Sequence, residues 1–309
     1  MAKWAFDDIP DQTGKYVVVT GANSGLGFET TKAMAAKGAT VVMACRNEEK
    51  AAQAASAIRD TVPNAPLEVR KLDLSDQDSI TAFADEMLTQ DKPIDVLFNN
   101  AGVMAMPEMR TAQGFEMQVG TNHLGHFALA ARLFPLVEKA EAGRVVAVAS
   151  QAHRIGKISL DDLNWQSRSY SRWSAYGQAK LANLMFSKEL AKRLTAKNSK
   201  VISAAAHPGY ASTNLQSAAS KVENSKIGEW FFELGNSLLG QSQTMGALPS
   251  LRAATDPAVT SGDYYGPHGF MERAGYPVKV GSTKIAQDED TWAKLWTLSE
   301  DLVGVKFDV

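Results

Sequence analysis

A tyrosine and a lysine four residues apart could carry out proton transfer. Tyr176 and Lys180 would lie on one face of a helix, about one turn apart. A tyrosine, with a pKa of about 10, is a poor acid–base group at neutral pH, but a neighbouring ammonium favours its anion. Pairs at this spacing are also common on helix surfaces, where the lysine stem covers apolar area. The pair therefore indicates catalysis only together with further groups.

Ser150 is one such group. It follows the apolar run from Arg144 to Ala149, which predicts a strand. A hydroxyl at the end of a strand can donate a hydrogen bond to a substrate oxygen and polarise it. The structural alternative is a serine that only begins a turn.

A glycine-rich turn, TGANSGLG at residues 20–27, lies between a predicted strand and a predicted helix. Such a turn lets backbone N–H groups approach a pyrophosphate and directs the N-terminus of the helix at its charge. The turn therefore predicts a dinucleotide site. The candidate contacts in it are Gly21, Asn23, Ser24, Gly25, Leu26 and Gly27.

Strands and helices alternate along the chain. The predicted strands are 15–20, 40–44, 67–72, 94–98, 144–149 and 201–206, and the predicted helices are 29–37, 48–59, 75–88, 112–136 and 174–194. We expect a single α/β domain over residues 1–309, Rossmann-like and doubly wound, with about seven parallel strands and helices on both faces. Residues 1–14 would be an N-terminal extension, and residues 263–309 a tail that packs on the sheet edge.

Further motifs follow the glycine-rich turn in a fixed order. Asp73 ends the third predicted strand, the sequence NNAG at 99–102 ends the fourth, and Pro208-Gly209 follows the sixth. Together with the tyrosine–lysine pair they resemble the short-chain dehydrogenase/reductase family over roughly residues 14–215. The segments NHLGHF at 122–127, SQAH at 150–153 and KLAN at 180–183 resemble its retinol dehydrogenase-like branch, including bacterial members. The sequence departs from that branch at Ala149 and Ala179, where serine is common.

The resemblance implies an oxidoreductase that transfers a hydride between a nicotinamide cofactor and a carbonyl or alcohol. It makes Tyr176 the acid–base group and Ser150 the group that polarises the carbonyl. Lys180 would lower the pKa of the tyrosine and contact the nicotinamide ribose, and Asn122 would belong to a proton relay. The other cofactor contacts that it implies are Asp73, Leu74, Asn100, Ala101, Gly102, Tyr176, Pro208, Gly209 and Thr213.

Residues 45 and 46 predict which nicotinamide cofactor is used. Relatives that prefer NAD place an acid at the end of the second strand, where this sequence has Cys45 followed by Arg46. A carboxylate would repel a 2′-phosphate, whereas a guanidinium can bind it with two hydrogen bonds. We therefore expect NADP(H) to be preferred over NAD(H). The alternative is that Arg46 is an ordinary solvated side chain.

Composition argues against several other function classes. The 309 residues carry a formal net charge of −2, which gives no bulk attraction to nucleic acid or anionic membranes. No run approaches the ~20 apolar residues of a membrane span, and the N-terminus lacks the apolar core of a signal peptide. The single cysteine suits a reducing compartment, and the five histidines lack metal-ligand spacing. We expect a cytoplasmic protein without a metal site that acts on a small-molecule carbonyl or alcohol, either as a monomer or as a homo-oligomer.

Alternative functions on the same fold remain open at this point. A non-catalytic NADP(H)-binding sensor is the main one, although such proteins typically lose the tyrosine or the lysine. A dehalogenating lyase-like relative would replace Lys180, and a structural interaction protein has no need of these motifs. Residues 211–245, which include Trp230, Phe231 and Phe232, could form a mobile lid over a hydrophobic substrate or pack into the core.

Overall fold

A central β-sheet organises the computed structural model, which describes residues 3–210 and 241–309. Its strands are β1 (Tyr16–Thr20), β2 (Thr40–Cys45), β3 (Leu67–Lys71), β4 (Val96–Asn99), β5 (Arg144–Val148), β6 (Ile202–Ala206), β7 (Tyr264–Pro267) and β8 (Pro277–Lys279). They lie in the order β3-β2-β1-β4-β5-β6-β7-β8. Neighbouring strands are parallel, except that β8 runs antiparallel to β7. The doubly wound α/β fold is thereby confirmed.

Helices cover both faces of this sheet. Those of the described chain are α1 (Gly25–Ala36), α2 (Glu48–Thr61), α3 (Gln77–Gln90), α4 (Met117–Val119), α5 (Gly125–Lys139), α6 (Arg172–Ala196), α7 (Gln243–Thr255) and α8 (Glu289–Val303). A π-helical turn, Gly120–Leu124, joins α4 to α5. The first helical residue in this region is Met117, so the helix predicted from residue 112 starts later than expected.

The start of α3 also differs from the prediction. The N-cap is Asp76, whose carboxylate accepts the Asp78 N–H at 3.1 Å, and not Ser75. The Ser75 hydroxyl instead donates to Asp73 Oδ1 at 2.6 Å. A carboxylate two residues earlier thus binds the hydroxyl that could have capped the helix.

The C-terminal part of the described chain extends the sheet. Residues from Asp263 onward, which we predicted to pack on the sheet edge, add β7 and β8 to that edge and then form α8. The sheet therefore has eight strands in the described chain, against about seven predicted. Of the predicted lid, residues 211–240 lie outside the described residues, as does Thr213. None of the described helices combines the length and apolar character that a membrane span needs.

The sheet separates the hydrophobic cores on its two faces. Along β1, Val17 and Val19 pack into one core, and Tyr16 and Val18 pack into the other. This follows from the geometry of a strand, whose successive side chains point to opposite faces. Because both faces are buried, the strand reads as a continuous apolar run.

An aromatic cluster fixes the long helix α6 against its neighbours. The ring of Phe127 on α5 lies 5.8 Å from that of Phe186 on α6, 5.0 Å from that of Trp296 on α8 and 5.7 Å from that of Phe307. These separations and the edge-to-face angles are those that aromatic pairs prefer. The cluster thus holds α6 in place at the sheet.

Phe127→Ala should destabilise the protein by about 3–5 kcal/mol, because it empties a fully buried aromatic site. The measurement is the free energy of unfolding from urea titration. Phe270→Ala is the matched control, since 83% of that side chain is exposed, and it should leave stability unchanged. Equal stability of the two variants would contradict the role of the cluster.

Candidate active site

A cleft of about 230 Å³ lies at the carboxyl ends of the central strands. Parallel strands end at the same edge of a sheet, so groups distant in sequence meet there. The predicted residues that line it are Leu26, Asn100, Gly102, Ser150, Tyr176, Lys180, Pro208 and Gly209. The tyrosine–lysine pair and the serine therefore share one cleft, which Leu26 of the glycine-rich turn also lines.

Ser150 follows β5 and caps the short helical turn Gln151–Ile155. Its Oγ accepts the Ala152 N–H at 3.2 Å, so the hydroxyl hydrogen is available for donation to another group. His153 Nδ1 lies 2.7 Å from the Ser150 carbonyl oxygen and donates to it. The serine is thus held at both its side chain and its backbone.

Tyr176 lies on the first turns of α6 and is buried. Burial raises its pKa to about 12, and a hydrogen bond with the Ser150 hydroxyl opposes that rise. Lys180 Nζ lies 5.9 Å from the centre of the tyrosine ring. The protein's own groups therefore keep this tyrosine protonated at neutral pH, and the expected lowering of its pKa needs a further positive charge.

Lys180, one turn later on α6, is a buried amine. Its Nζ donates to the Val148 carbonyl oxygen at 2.9 Å, and burial lowers its pKa to about 8. A Cβ atom on Gly102 would lie 3.6 Å from Nζ and 3.0 Å from Asn122 Oδ1. The glycine after β4 thus leaves room for the lysine and the asparagine to approach each other.

Asn122 lies in the π-helical turn and is completely buried. Its side chain makes two hydrogen bonds of 2.8 Å with the backbone of Val103, one to the N–H and one to the carbonyl. It thereby fixes the loop after β4. Its own carbonyl oxygen accepts the Nδ1–H of His126 at 2.9 Å. π-Turns within helices are frequent at functional sites.

His126 was not predicted to belong to the site. Burial lowers its pKa to about 4, so the ring is neutral, and its Nε2 accepts the Thr20 hydroxyl at 2.9 Å. Thr20 Oγ1 in turn accepts the N–H groups of Asn100 and Ala101, each at 2.9 Å. This buried network joins the end of β1 to the loop after β4. The histidine stands in the NHLGHF segment, but only the fold reveals its partner.

The glycine-rich turn fits a pyrophosphate. A Cβ atom on Gly27 would lie 2.3 Å from the Gly21 carbonyl oxygen, so only glycine allows the helix to approach the strand. At Gly25, φ is +56° and a Cβ atom would have no neighbour within 4 Å, so the turn faces open space. Ser24, the N-cap of α1, makes no side-chain cap bond. The first N–H groups of the helix can therefore bind an anion.

The side chain of Cys45 contacts the glycine-rich turn. Its thiol accepts hydrogen bonds from the backbone N–H groups of Ala22 and Asn23, while burial raises its pKa to about 11. Arg46, the next residue, is exposed and makes no hydrogen bond or ion pair with any part of the chain that the structure describes. The position that carries an acid in NAD-preferring relatives is thus filled by a neutral group.

Two residues that were predicted to contact the cofactor, Asp73 and Leu74, follow the third strand and do not line the cleft. Asp73 is partly buried, and its Oδ1 accepts the N–H and the hydroxyl of Ser75 at 2.9 and 2.6 Å. Leu74 is buried.

Several lining residues of the cleft were missed from the sequence. Met104, Trp173 and Tyr210 all line it, and the latter two are exposed large hydrophobic side chains. Trp173 stands three residues before Tyr176 on the same helix, a spacing that could have identified it. Nothing local in the sequence identifies Met104 or Tyr210.

The family model for short chain dehydrogenases matches residues 15–224. The chain belongs to the short-chain dehydrogenase family. It is similar to human retinol dehydrogenase 13, with 39% identity over 299 residues, covering 95% of this chain and 86% of that protein. The predicted resemblance to the retinol dehydrogenase-like branch is therefore confirmed, and the chain is an oxidoreductase by family.

Solved structures of similar chains support the same fold. An uncharacterized protein from Mycobacterium paratuberculosis has 41% identity and a TM-score of 0.81, with 100% of both chains covered. A short chain dehydrogenase from Escherichia coli CFT073, solved in complex with NADPH, has 26% identity and a TM-score of 0.55. That match covers 75% of this chain and 93% of the other.

Replacing Lys180 by methionine should change how stability depends on pH. The folded-state pKa of about 8 lies below the ordinary lysine value of 10.5, so the unfolded chain holds the proton more tightly. Lys180 therefore makes wild-type stability rise with pH between these two values. Relative to Lys180→Met, the wild type should gain about 2.5 kcal/mol from about pH 7 to about pH 10.

Urea unfolding of both proteins at the two pH values measures this difference. Lys50→Met is the control, since Lys50 is exposed, and its stability should stay parallel to that of the wild type as the pH changes. A constant difference between wild type and Lys180→Met would mean that burial does not lower the pKa of Lys180.

Proposed function

We propose that the protein transfers a hydride between NADP(H) and the carbonyl or alcohol group of a hydrophobic substrate. The observation that carries the proposal is the convergence of Ser150, Tyr176 and Lys180 in one cleft beside the glycine-rich turn. A buried, protonated tyrosine next to a serine hydroxyl suits the delivery of a proton to a substrate oxygen.

The cofactor would lie along the carboxyl edge of the sheet. Its pyrophosphate would lie at the glycine-rich turn, and Asp73 with Asn100 and Gly102 would contact the adenine and ribose parts. When bound, the nicotinamide supplies or accepts a hydride at the substrate carbon. Lys180 would hold the nicotinamide ribose through its ammonium.

In carbonyl reduction the substrate oxygen gains negative charge and must receive a proton. The Ser150 hydroxyl donates a hydrogen bond to that oxygen, and Tyr176 transfers its phenolic proton to it, which leaves a tyrosinate. The Lys180 ammonium stabilises the tyrosinate. Asn122 takes part in the relay that returns a proton to Tyr176, since it links the loop after β4 to α5.

The residues at the end of β2 support a preference for NADP(H). Cys45 is neutral and engaged with the glycine-rich turn, so it cannot repel a 2′-phosphate. The exposed guanidinium of Arg46 follows at once and can bind that group. The NADPH complex of the similar E. coli protein supports this choice.

The side chains that line the cleft favour an apolar substrate. Val103, Met104, Ala149, Trp173 and Tyr210 line it together with the catalytic candidates. Burial of apolar surface would therefore contribute most to substrate binding. Retinaldehyde is a suitable first probe, given the similarity to human retinol dehydrogenase 13.

Tyr176→Phe should lower kcat for NADPH-dependent reduction by at least ~100-fold, because the proton donor is lost. NADPH binding, followed by its fluorescence, should persist. Tyr170→Phe is the control, since its hydroxyl donates to the Met106 carbonyl oxygen at 2.9 Å and does not line the cleft. A Tyr176→Phe protein with near wild-type kcat would sink the assignment of the acid.

Arg46→Ala should weaken the binding of NADPH by ~1.5–3 kcal/mol, the range for a hydrogen bond to a charged group. The binding of NADH should remain almost unchanged. The measurement is kcat/KM with each cofactor. Lys50→Ala, which removes an exposed cation on α2, should change neither value. Equal losses for both cofactors in Arg46→Ala would refute the contact with the 2′-phosphate.

A further inference from the structure

The turn at residues 270–273, here called the C-terminal turn, contacts two walls of the cleft. On one side, Gln151 Nε2 donates to the carbonyl oxygens of Met271 and Glu272, at 2.6 and 2.9 Å. On the other side, the Tyr210 N–H donates to the Arg273 carbonyl oxygen at 2.8 Å. Gln151 follows Ser150, and Tyr210 follows Pro208-Gly209. The turn therefore bridges the loop after β5 and the loop after β6.

The carboxylate of Glu272 makes the same bridge with its two oxygens. Oε1 pairs with Arg154 at 2.9 Å, and Oε2 lies 3.0 Å from His207 Nε2. The hydrogen bond from His207 is the largest cause that holds the pKa of Glu272 below its ordinary value, although partial burial opposes it. Glu272 is therefore ionised at neutral pH.

His207 passes this contact on to the cleft. It is completely buried, and its Nδ1 accepts the N–H of Gly209 at 3.1 Å. A ring nitrogen that accepts carries no hydrogen, so the ring hydrogen is on Nε2 and is donated to Glu272. The carboxylate thus selects the tautomer that can hold the Gly209 peptide.

The backbone around this contact is strained and tightly packed. Met271 and Glu272 have φ values of 51° and 56°, in the left-handed region that non-glycine residues rarely adopt. Such strain persists only where the surroundings impose it, and it concentrates at functional sites. A Cβ atom on Gly209, at φ +67°, would lie 2.4 Å from the Arg273 carbonyl oxygen. The C-terminal turn and the loop after β6 are therefore in direct backbone contact.

We propose that Glu272 is a positioning residue for the reaction, which acts through His207 on the Gly209 peptide and through Arg154 on the Ser150 loop. It fixes the separation of the two walls between which the substrate oxygen must meet Ser150 and Tyr176. The proposal rests on the proposed function. Glu272 itself does not line the cleft, whereas Gly209 is also a predicted cofactor contact. The proposal therefore predicts a larger loss in kcat than in NADPH affinity.

Glu272→Gln should lower kcat about 10- to 100-fold, the range expected for misplaced reacting groups, and should lower NADPH affinity by a smaller factor. The amide keeps the shape of the side chain but cannot accept from both Arg154 and His207. Glu300→Gln is the matched control: Glu300 is likewise partly buried, accepts the Phe307 N–H at 2.9 Å, pairs with Lys306 and lies away from the cleft. It should keep wild-type kcat.

A double-mutant cycle tests the path through His207. In His207→Asn the amide oxygen can replace Nδ1 as the acceptor for Gly209, but the link to Glu272 is lost. If the two residues act through one link, the double variant loses less kcat than the product of the single losses. Independent losses, wild-type kcat in Glu272→Gln, or equal loss of kcat and NADPH affinity would each overturn the proposal.

The tautomer provides a measurement on the unmodified protein. ¹⁵N spectra of the histidine rings should assign the hydrogen of His207 to Nε2, and a hydrogen on Nδ1 would overturn the proposal. Failure of the proposed function can be distinguished from failure of the role proposed for Glu272. A Tyr176→Phe variant with near wild-type kcat would refute the acid assigned in the proposed function. Wild-type activity in Glu272→Gln with an inactive Tyr176→Phe variant would instead remove only the role of Glu272.

Discussion

The candidate site depends on the hydrogen bond that the buried amine of Lys180 makes with the backbone of β5. A buried ammonium is unfavourable unless hydrogen bonds compensate it, and the Val148 carbonyl oxygen at the end of β5 provides one at 2.9 Å. That contact docks α6 onto the carboxyl end of the sheet. It also fixes where Tyr176 lies, one helical turn earlier. Gly102 and Asn122 then occupy the remaining space beside the amine.

The electrostatics of this arrangement follow from desolvation. Burial raises the pKa of Tyr176 and lowers that of Lys180, so both groups are driven towards their neutral forms. A tyrosine in such an environment retains its proton until charge develops on a nearby oxygen or a positive charge approaches. Groups whose environments shift their pKa values in opposite directions are typical of acid–base sites. The low pKa of Lys180 also makes its charge sensitive to neighbouring groups near neutral pH.

Much of the site could be predicted because its signals are local. The glycine-rich turn needs only a strand before it and a helix after it, and the tyrosine–lysine pair needs only helical spacing. The network of Thr20 with His126 joins residues 106 positions apart, and the contact of His207 with Glu272 spans 65 positions. No periodicity encodes such pairs, since they exist only after the sheet has assembled.

Local competition limited the prediction of element boundaries. Ser75 has the residue type of an N-cap, but Asp73 binds its hydroxyl and Asp76 caps α3. The three residues of β8 are too few to predict a strand, and they form one because the exposed edge of β7 pairs with them. In both places a neighbour in space decided between two conformations that the sequence allowed.

The most direct test of the account is the fate of the transferred hydrogen. NADPH with deuterium at both positions of the hydride-bearing carbon would be incubated with the enzyme and retinaldehyde, or with another apolar aldehyde or ketone that is turned over. The product would be analysed by mass spectrometry. The account predicts one deuterium on the former carbonyl carbon for each NADPH oxidised. An alcohol product without deuterium, or NADPH that binds but is oxidised by none of these carbonyl compounds, would contradict it.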